Sequence, residues 1–109
     1  MPDTFKTLAQ TNPAAATLTT HYTVPASTST TVSSIFVCNT SSTKATFRIS
    51  IAIAAAADAT TQYLYYDLPL TGNNTFVATV GLTLATTDLI RVQASTSGVV
   101  FSSYGVEVT

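Results

Sequence analysis

The stretch Ala45-Thr46-Phe47-Arg48-Ile49-Ser50-Ile51 decides how this chain is read. Ala45, Phe47, Ile49 and Ile51 share one parity, while Thr46, Arg48 and Ser50 take the other. Successive side chains leave a strand on opposite sides, so a strict period of two marks a strand with one covered face. The run from Ala45 to Ile53 therefore predicts a strand whose inward side is fixed by Phe47, Ile49 and Ile51.

Working outward, shorter runs of the same kind recur between turn signals. Upstream, Thr31 to Asn39 sets Ile35 and Val37 against Val32, Phe36 and Cys38, which implies a strand covered on both sides or a bulge that switches parity. Leu18 to Val24 puts Leu18, Tyr22 and Val24 on one side and leaves His21 on the polar, solvated parity, stopping at Pro25. Downstream, Ala54 to Ala57 is too short for a stable helix and reads as a crossover between two sheets. In Gln62 to Leu68, Leu64, Tyr66 and Leu68 alternate with Tyr63, Tyr65 and Asp67. This predicts Tyr66 packed inward, with Tyr63 and Tyr65 covering a neighbouring element or a second subunit.

Thr71-Gly-Asn-Asn74 reads as a hairpin turn into Thr75 to Leu82, and Ser95-Thr-Ser-Gly98 as a second one joining Asp88 to Ala94 with Val99 to Val108. Residues 1 to 16 carry no period and contain Pro2 and Pro13, which reads as an extended N-terminal arm ahead of a domain over 17 to 109. Seven strands with short connections predict an all-β fold, a single antiparallel β-sandwich of the immunoglobulin-like or small jelly-roll kind. Periodicity does not reveal strand order, so both arrangements stay open.

Composition narrows the function classes. Charged residues make up 8% of the 109 positions, against about 25% in an ordinary domain, and Thr alone supplies about a fifth. Lys6, Lys44, Arg48 and Arg91 are the only fixed cations and the formal net charge is -1, which gives no footprint for nucleic acid. The chain has no long apolar run for a membrane span, and Met1-Pro-Asp-Thr-Phe-Lys6 lacks the features of a secretory signal. So weak a charge gives little self-repulsion and favours association.

Little in the chain suggests chemistry. One histidine, His21, and one cysteine, Cys38, are too few for a zinc site, and Cys38 reads as a small buried hydrophobe. Asp3, Asp58, Asp67 and Asp88 are isolated, and the four glycines form no phosphate loop. The expectation is a protein without cofactor, metal or catalytic set, and thus not an enzyme. Asn39-Thr-Ser41 and Asn73-Asn-Thr75 fit the glycosylation pattern but read as chance matches in so hydroxyl-rich a chain.

Four segments together carry a family resemblance. Tyr22-Thr-Val-Pro-Ala26 leads into Val32-Ser-Ser-Ile-Phe-Val-Cys-Asn39, followed by Phe47-Arg-Ile-Ser-Ile51 and Tyr63-Leu-Tyr-Tyr-Asp-Leu-Pro-Leu70. In this order and spacing they resemble small virion proteins of tailed bacteriophages, notably cyanophages, over about Thr4 to Val108. The chain departs from that pattern at His21, where relatives often carry Leu, and in its Ala-rich loop after Ile53. The resemblance implies a non-enzymatic structural protein of the virion, assembled in the bacterial cytoplasm. It points to a capsid cement or decoration protein, or else a tail, neck or fibre module.

On that reading the partners are the major capsid protein or other virion proteins, with a dimer or trimer of the chain itself. The arm residues Phe5, Lys6 and Leu8 and the strand residues Tyr63 and Tyr65 are the candidate contacts. A carbohydrate-recognising sandwich using exposed tyrosines and the amides of Asn73 and Asn74 is the competing class.

Overall fold

Every alternating run becomes a strand in the computed structural model, which describes residues 3–109. The strands are β1 (Asp3–Thr11), β2 (Thr19–Thr23), β3 (Ser29–Asn39), β4 (Ala45–Ala52), β5 (Tyr63–Leu70), β6 (Thr75–Leu84), β7 (Leu89–Ala94) and β8 (Val99–Val108). Their pairing is nested: β1 with β8, β2 with β7, β3 with β6 and β4 with β5, all antiparallel. From Asp3↔Val108 to Ser50↔Tyr63 every partnered pair is centred between residues 55 and 58. The chain is thus one long antiparallel ribbon turned back on itself near Ala57.

Rolling that ribbon up adds lateral pairs β3·β8 and β4·β7, which generate two four-stranded sheets ordered β1-β8-β3-β6 and β2-β7-β4-β5. This is the eight-stranded jelly-roll order, one of the two arrangements left open by periodicity. The all-β antiparallel sandwich holds, with eight strands where seven were read. The additional one is β1: Asp3–Thr11, taken as part of the arm, pairs with β8 from Val108 back to Phe101 and forms an edge of the first sheet. Residues 1 and 2 of that arm lie outside the described residues.

Three connections differ from expectation for one reason. Local turn chemistry shows where the chain reverses but not which sheet the next strand joins. Ala54 to Ala57 does not cross between sheets, because β4 and β5 are neighbours in one sheet. Instead it forms the ribbon tip, with Ala54 and Ala55 both in the left-handed region. Asp88 holds this tip by accepting a hydrogen bond from the Ala54 N–H at 2.9 Å, and Gln62 Nε2 donates to the Ala57 carbonyl at 2.9 Å. Conversely, the turns at 71–74 and 95–98 are not hairpins, since each carries the chain from the second sheet to the first. Asn73 does supply the positive φ expected there.

The core lies between the sheets. Phe47 on β4 is 1% exposed and meets Phe76 and Phe101 of the opposite sheet at ring-centroid distances of 5.5 and 6.1 Å. Val32, Ile35, Val37, Ile49, Ile90 and Val92 are fully buried around it. Val32 joins Ile35 and Val37 inside because the register shifts between Val32 and Ser34, so the bulge alternative read for this strand is the one realised.

Bulges also overturn two inward/outward assignments. Between Phe47↔Leu68 and Ile49↔Tyr65, two residues of β5 face the single Arg48, and the extra residue Asp67 adopts φ 53°. Parity therefore reverses at Asp67: Tyr65 packs inward on Phe47 and Phe76, while Tyr66 stands 55% exposed on the outside. In β2 a shift between Thr20 and Tyr22 makes His21 the unpaired residue, and both His21 and Tyr22 are buried rather than alternating.

A buried amide closes one end of the sandwich and a close backbone approach the other. Asn39, fully buried, donates through Nδ2 to the carbonyls of Thr43 and Leu70 and accepts through Oδ1 from the Ser41 N–H and hydroxyl, tying the loop after β3 to the end of β5. An amide so engaged is not presented for glycosylation. At the other end Gly105 lies opposite both Lys6 and Val32, and a Cβ there would come within 2.1 Å of the Thr31 carbonyl oxygen. Gly105→Ala should therefore lower the unfolding free energy by about 1–3 kcal/mol, measured by urea denaturation; an unchanged midpoint would show that β3 and β8 do not approach in this register.

Candidate interaction surface

Directly opposed residues of an antiparallel pair share a face, so the register sorts every strand residue of the first sheet. Phe101, Ser103, Ile35 and Val37, each at most 1% exposed, define the inner side. The outer side then carries Phe5 of β1, Val100, Tyr104 and Val106 of β8, Phe36 of β3 and Val77 of β6. Phe5 is 80% exposed, Val77 46% and Phe36 37%. Phe36 and Tyr104 pack edge to face at 5.5 Å in the middle of the sheet. Thr and Ser fill most remaining positions, and among the described residues Asp3, at one corner, is the only charged side chain on this face. Cys38 lies on it beside Val100 and Thr75, half-buried, not inside the core as read from sequence.

The outer side of the second sheet is built differently. Arg48 lies 4.0 Å over the Tyr66 ring and forms a two-pronged contact with Asp67, Nε to Oδ1 at 2.7 Å and Nη2 to Oδ2 at 3.1 Å. Tyr63 packs edge to face on Tyr66 at 5.0 Å and donates its hydroxyl proton to Asp58 at 3.1 Å. The Asp67 carboxyl is held below its ordinary range by the Arg48 hydrogen bond. The bulge that turned Tyr66 outward is what brings these groups together. They form a self-satisfied cluster, since the ring face of Tyr66 is already taken by the guanidinium.

The candidate contact residues named from sequence do not share one surface. Phe5 stands on the uncharged outer face of the first sheet. Lys6 turns to the other side of β1 and pairs with Glu107 at 3.2 Å. Leu8 and Tyr65 pack against the core, and Tyr63 lies on the second sheet. Sequence reasoning missed Phe36, Tyr104 and Val77; once the strand order is known, the alternation of β8 and β3 is the signal that finds them.

One buried polar group sits between the sheets. His21, 6% exposed, places Nδ1 2.8 Å from the Thr11 hydroxyl and Nε2 2.9 Å from the Ser103 hydroxyl. The neutral ring donates to one hydroxyl and accepts from the other. A serine beside a histidine suggests a nucleophile, but Ser103 is fully buried and Thr11 stands where a carboxylate would orient the ring. Next to it the Tyr22 hydroxyl donates to Glu107, which is also paired with Lys6, and these two contacts hold the Glu107 carboxyl below its ordinary range. Tyr22 itself is pushed up to about 12, chiefly by burial.

Among the described residues no group of three or more His, Cys, Asp or Glu converges on a metal-sized space. A surface depression of about 350 Å³ runs between Gln10, Thr11, Asn12 and Val100–Ser102 without a titratable lining group. No helix among the described residues is long and apolar enough to cross a membrane. No protein-family model and no curated protein matches the chain.

Burial lowers the His21 pKa from 6.5 to about 4. The unfolded chain therefore takes up a proton near pH 6.5 that the folded chain refuses until about pH 4. Stability is complete above pH 6.5 and falls through that window on acidification, by about 2–3 kcal/mol at pH 4.5. Glu107 adds a loss of the same sign, beginning only as its unfolded form protonates near pH 4.5. Urea melts of wild type and His21→Gln at pH 7 and 4.5 check this: the wild-type loss should largely vanish in the variant, and an equal loss in both would place the pH sensitivity elsewhere.

Proposed function

We propose that this chain is a non-catalytic structural protein of a bacteriophage particle, a cement or decoration protein that binds and stabilises the lattice of the major capsid protein. The observation that carries the reading is the outer face of the first sheet: four strands wide, lined by Phe5, Phe36, Val77 and Tyr104, and free of charge except at one corner. Exposed aromatic and aliphatic side chains spread over a sheet face with a single charge favour a protein contact over open solvent. Jelly rolls serve as capsid and lectin domains among other uses, which makes the architecture compatible with either role without selecting one. The resemblance of Tyr22 to Leu70 to small virion proteins adds the biological setting.

The carbohydrate reading is weaker on this geometry. Stacking on a sugar needs an open aromatic face, and Arg48 and Tyr63 already occupy the surroundings of Tyr66. A tail, neck or fibre position uses the same fold and differs in stoichiometry. Quantitative mass spectrometry of purified particles should return a ratio of this chain to the major capsid protein of one or a simple fraction. A few copies per particle would move it to the tail or neck, and absence from clean particles would overturn the virion role.

A further inference from the structure

We infer that the uncharged outer face of the first sheet is the contact between two copies of this chain, packed sheet against sheet about a two-fold axis. The inference rests on reading this face as a protein contact and adds the identity of its occupant. Area is the first argument. Four strands about 4.8 Å apart and about ten residues long cover about 600 Å², so two such faces bury about 1,200 Å², the lower end of the range for stable specific pairs. The whole face is needed to reach that range, which favours a partner presenting a sheet of equal extent.

Charge is the second argument. With Asp3 at one corner as its one charge among the described residues, the face offers little by which an oppositely charged partner is selected, and little that repels its own copy across a two-fold axis. Apart from Asp3, the charges of the two sheets lie elsewhere: Arg48, Asp67 and Arg91 belong to the outer side of the other sheet, and Lys6 and Glu107 pair on the inward side of β1 and β8. Two-fold pairs are the commonest closed assemblies, and they require a patch complementary to itself. Phe36 and Tyr104 at the centre, ringed by Val77, Val100 and Val106, supply large aromatics that seat among β-branched neighbours of the second copy. Cys38, half-buried on this face, becomes covered in the pair and so reports on it.

Sedimentation equilibrium of the full chain tests this, together with the rate at which Cys38 reacts with a soluble aromatic disulfide. The wild type should be a dimer at micromolar concentration, with thiol reaction slowing as concentration rises. Phe36→Glu and, separately, Val77→Lys should each raise the dimer dissociation constant at least about 30-fold and abolish the concentration dependence of thiol reaction. Tyr66→Ala, on the opposite side, should leave both unchanged. Circular dichroism of each variant shows that it is folded. A monomer at all concentrations, a trimer, or a dimer indifferent to both face variants would overturn the pairing. If the wild type is monomeric and Phe36→Glu nonetheless prevents incorporation into particles, the pairing fails while the virion reading stands. Dimers from a chain absent from particles give the reverse.

Discussion

The contact of Phe47 with Phe76 and Phe101 across the sandwich sets the rest of the structure. These three rings come from β4, β6 and β8, strands of different sheets far apart in sequence, and they meet only if the ribbon is rolled in one register. A slip of one residue in β4 would replace Phe47, Ile49 and Ala45 at the core with Thr46, Arg48 and Ser50. Burying a guanidinium and two hydroxyls in place of an aromatic and an aliphatic is prohibitive, so the hydrophobic pattern of one strand locks the pairing of its neighbours. The faces follow from that register, and the surface the protein offers to others follows from the faces.

How much of this was legible from sequence depended on whether a strand kept its parity. β4, β6 and β8 alternate without interruption where it matters, and their inward residues could be read directly. In β2, β3 and β5 an extra residue reverses the pattern partway, and sequence marks such a position weakly. Asp67 is a residue type that tolerates the left-handed region, yet nothing nearby required a bulge there, and so Tyr65 and Tyr66 were assigned to the wrong sides. His21 went astray for the same reason.

Topology was less legible than secondary structure. A turn sequence encodes a local change of direction, but the sheet that receives the next strand is chosen by burial of apolar surface tens of residues away. The nested pairing centred on 55–58 appears only when all strands are considered at once, and the Ala-rich tip at its centre looks like an unremarkable loop. The proposed contact surface was hidden for a related reason. Phe5, Phe36, Tyr104 and Val77 come from four strands, and no local stretch places more than one of them on the same face.

The two outer faces divide the molecule's surface chemistry. One is a self-contained polar and aromatic cluster built on Arg48, with its hydrogen bonds made within the chain; the other is a face of aromatic, aliphatic and hydroxyl side chains with Asp3 as its one charge, over which none of the described residues packs. On the proposed reading, the protein fits into an assembly by covering the second face. The most direct measurement is a cryo-electron microscopy reconstruction of the phage particle proposed to carry the chain. The account predicts Phe36, Tyr104 and Val77 packed under protein density. A particle in which that face points into solvent while the Arg48 and Tyr66 side makes the contacts would contradict it.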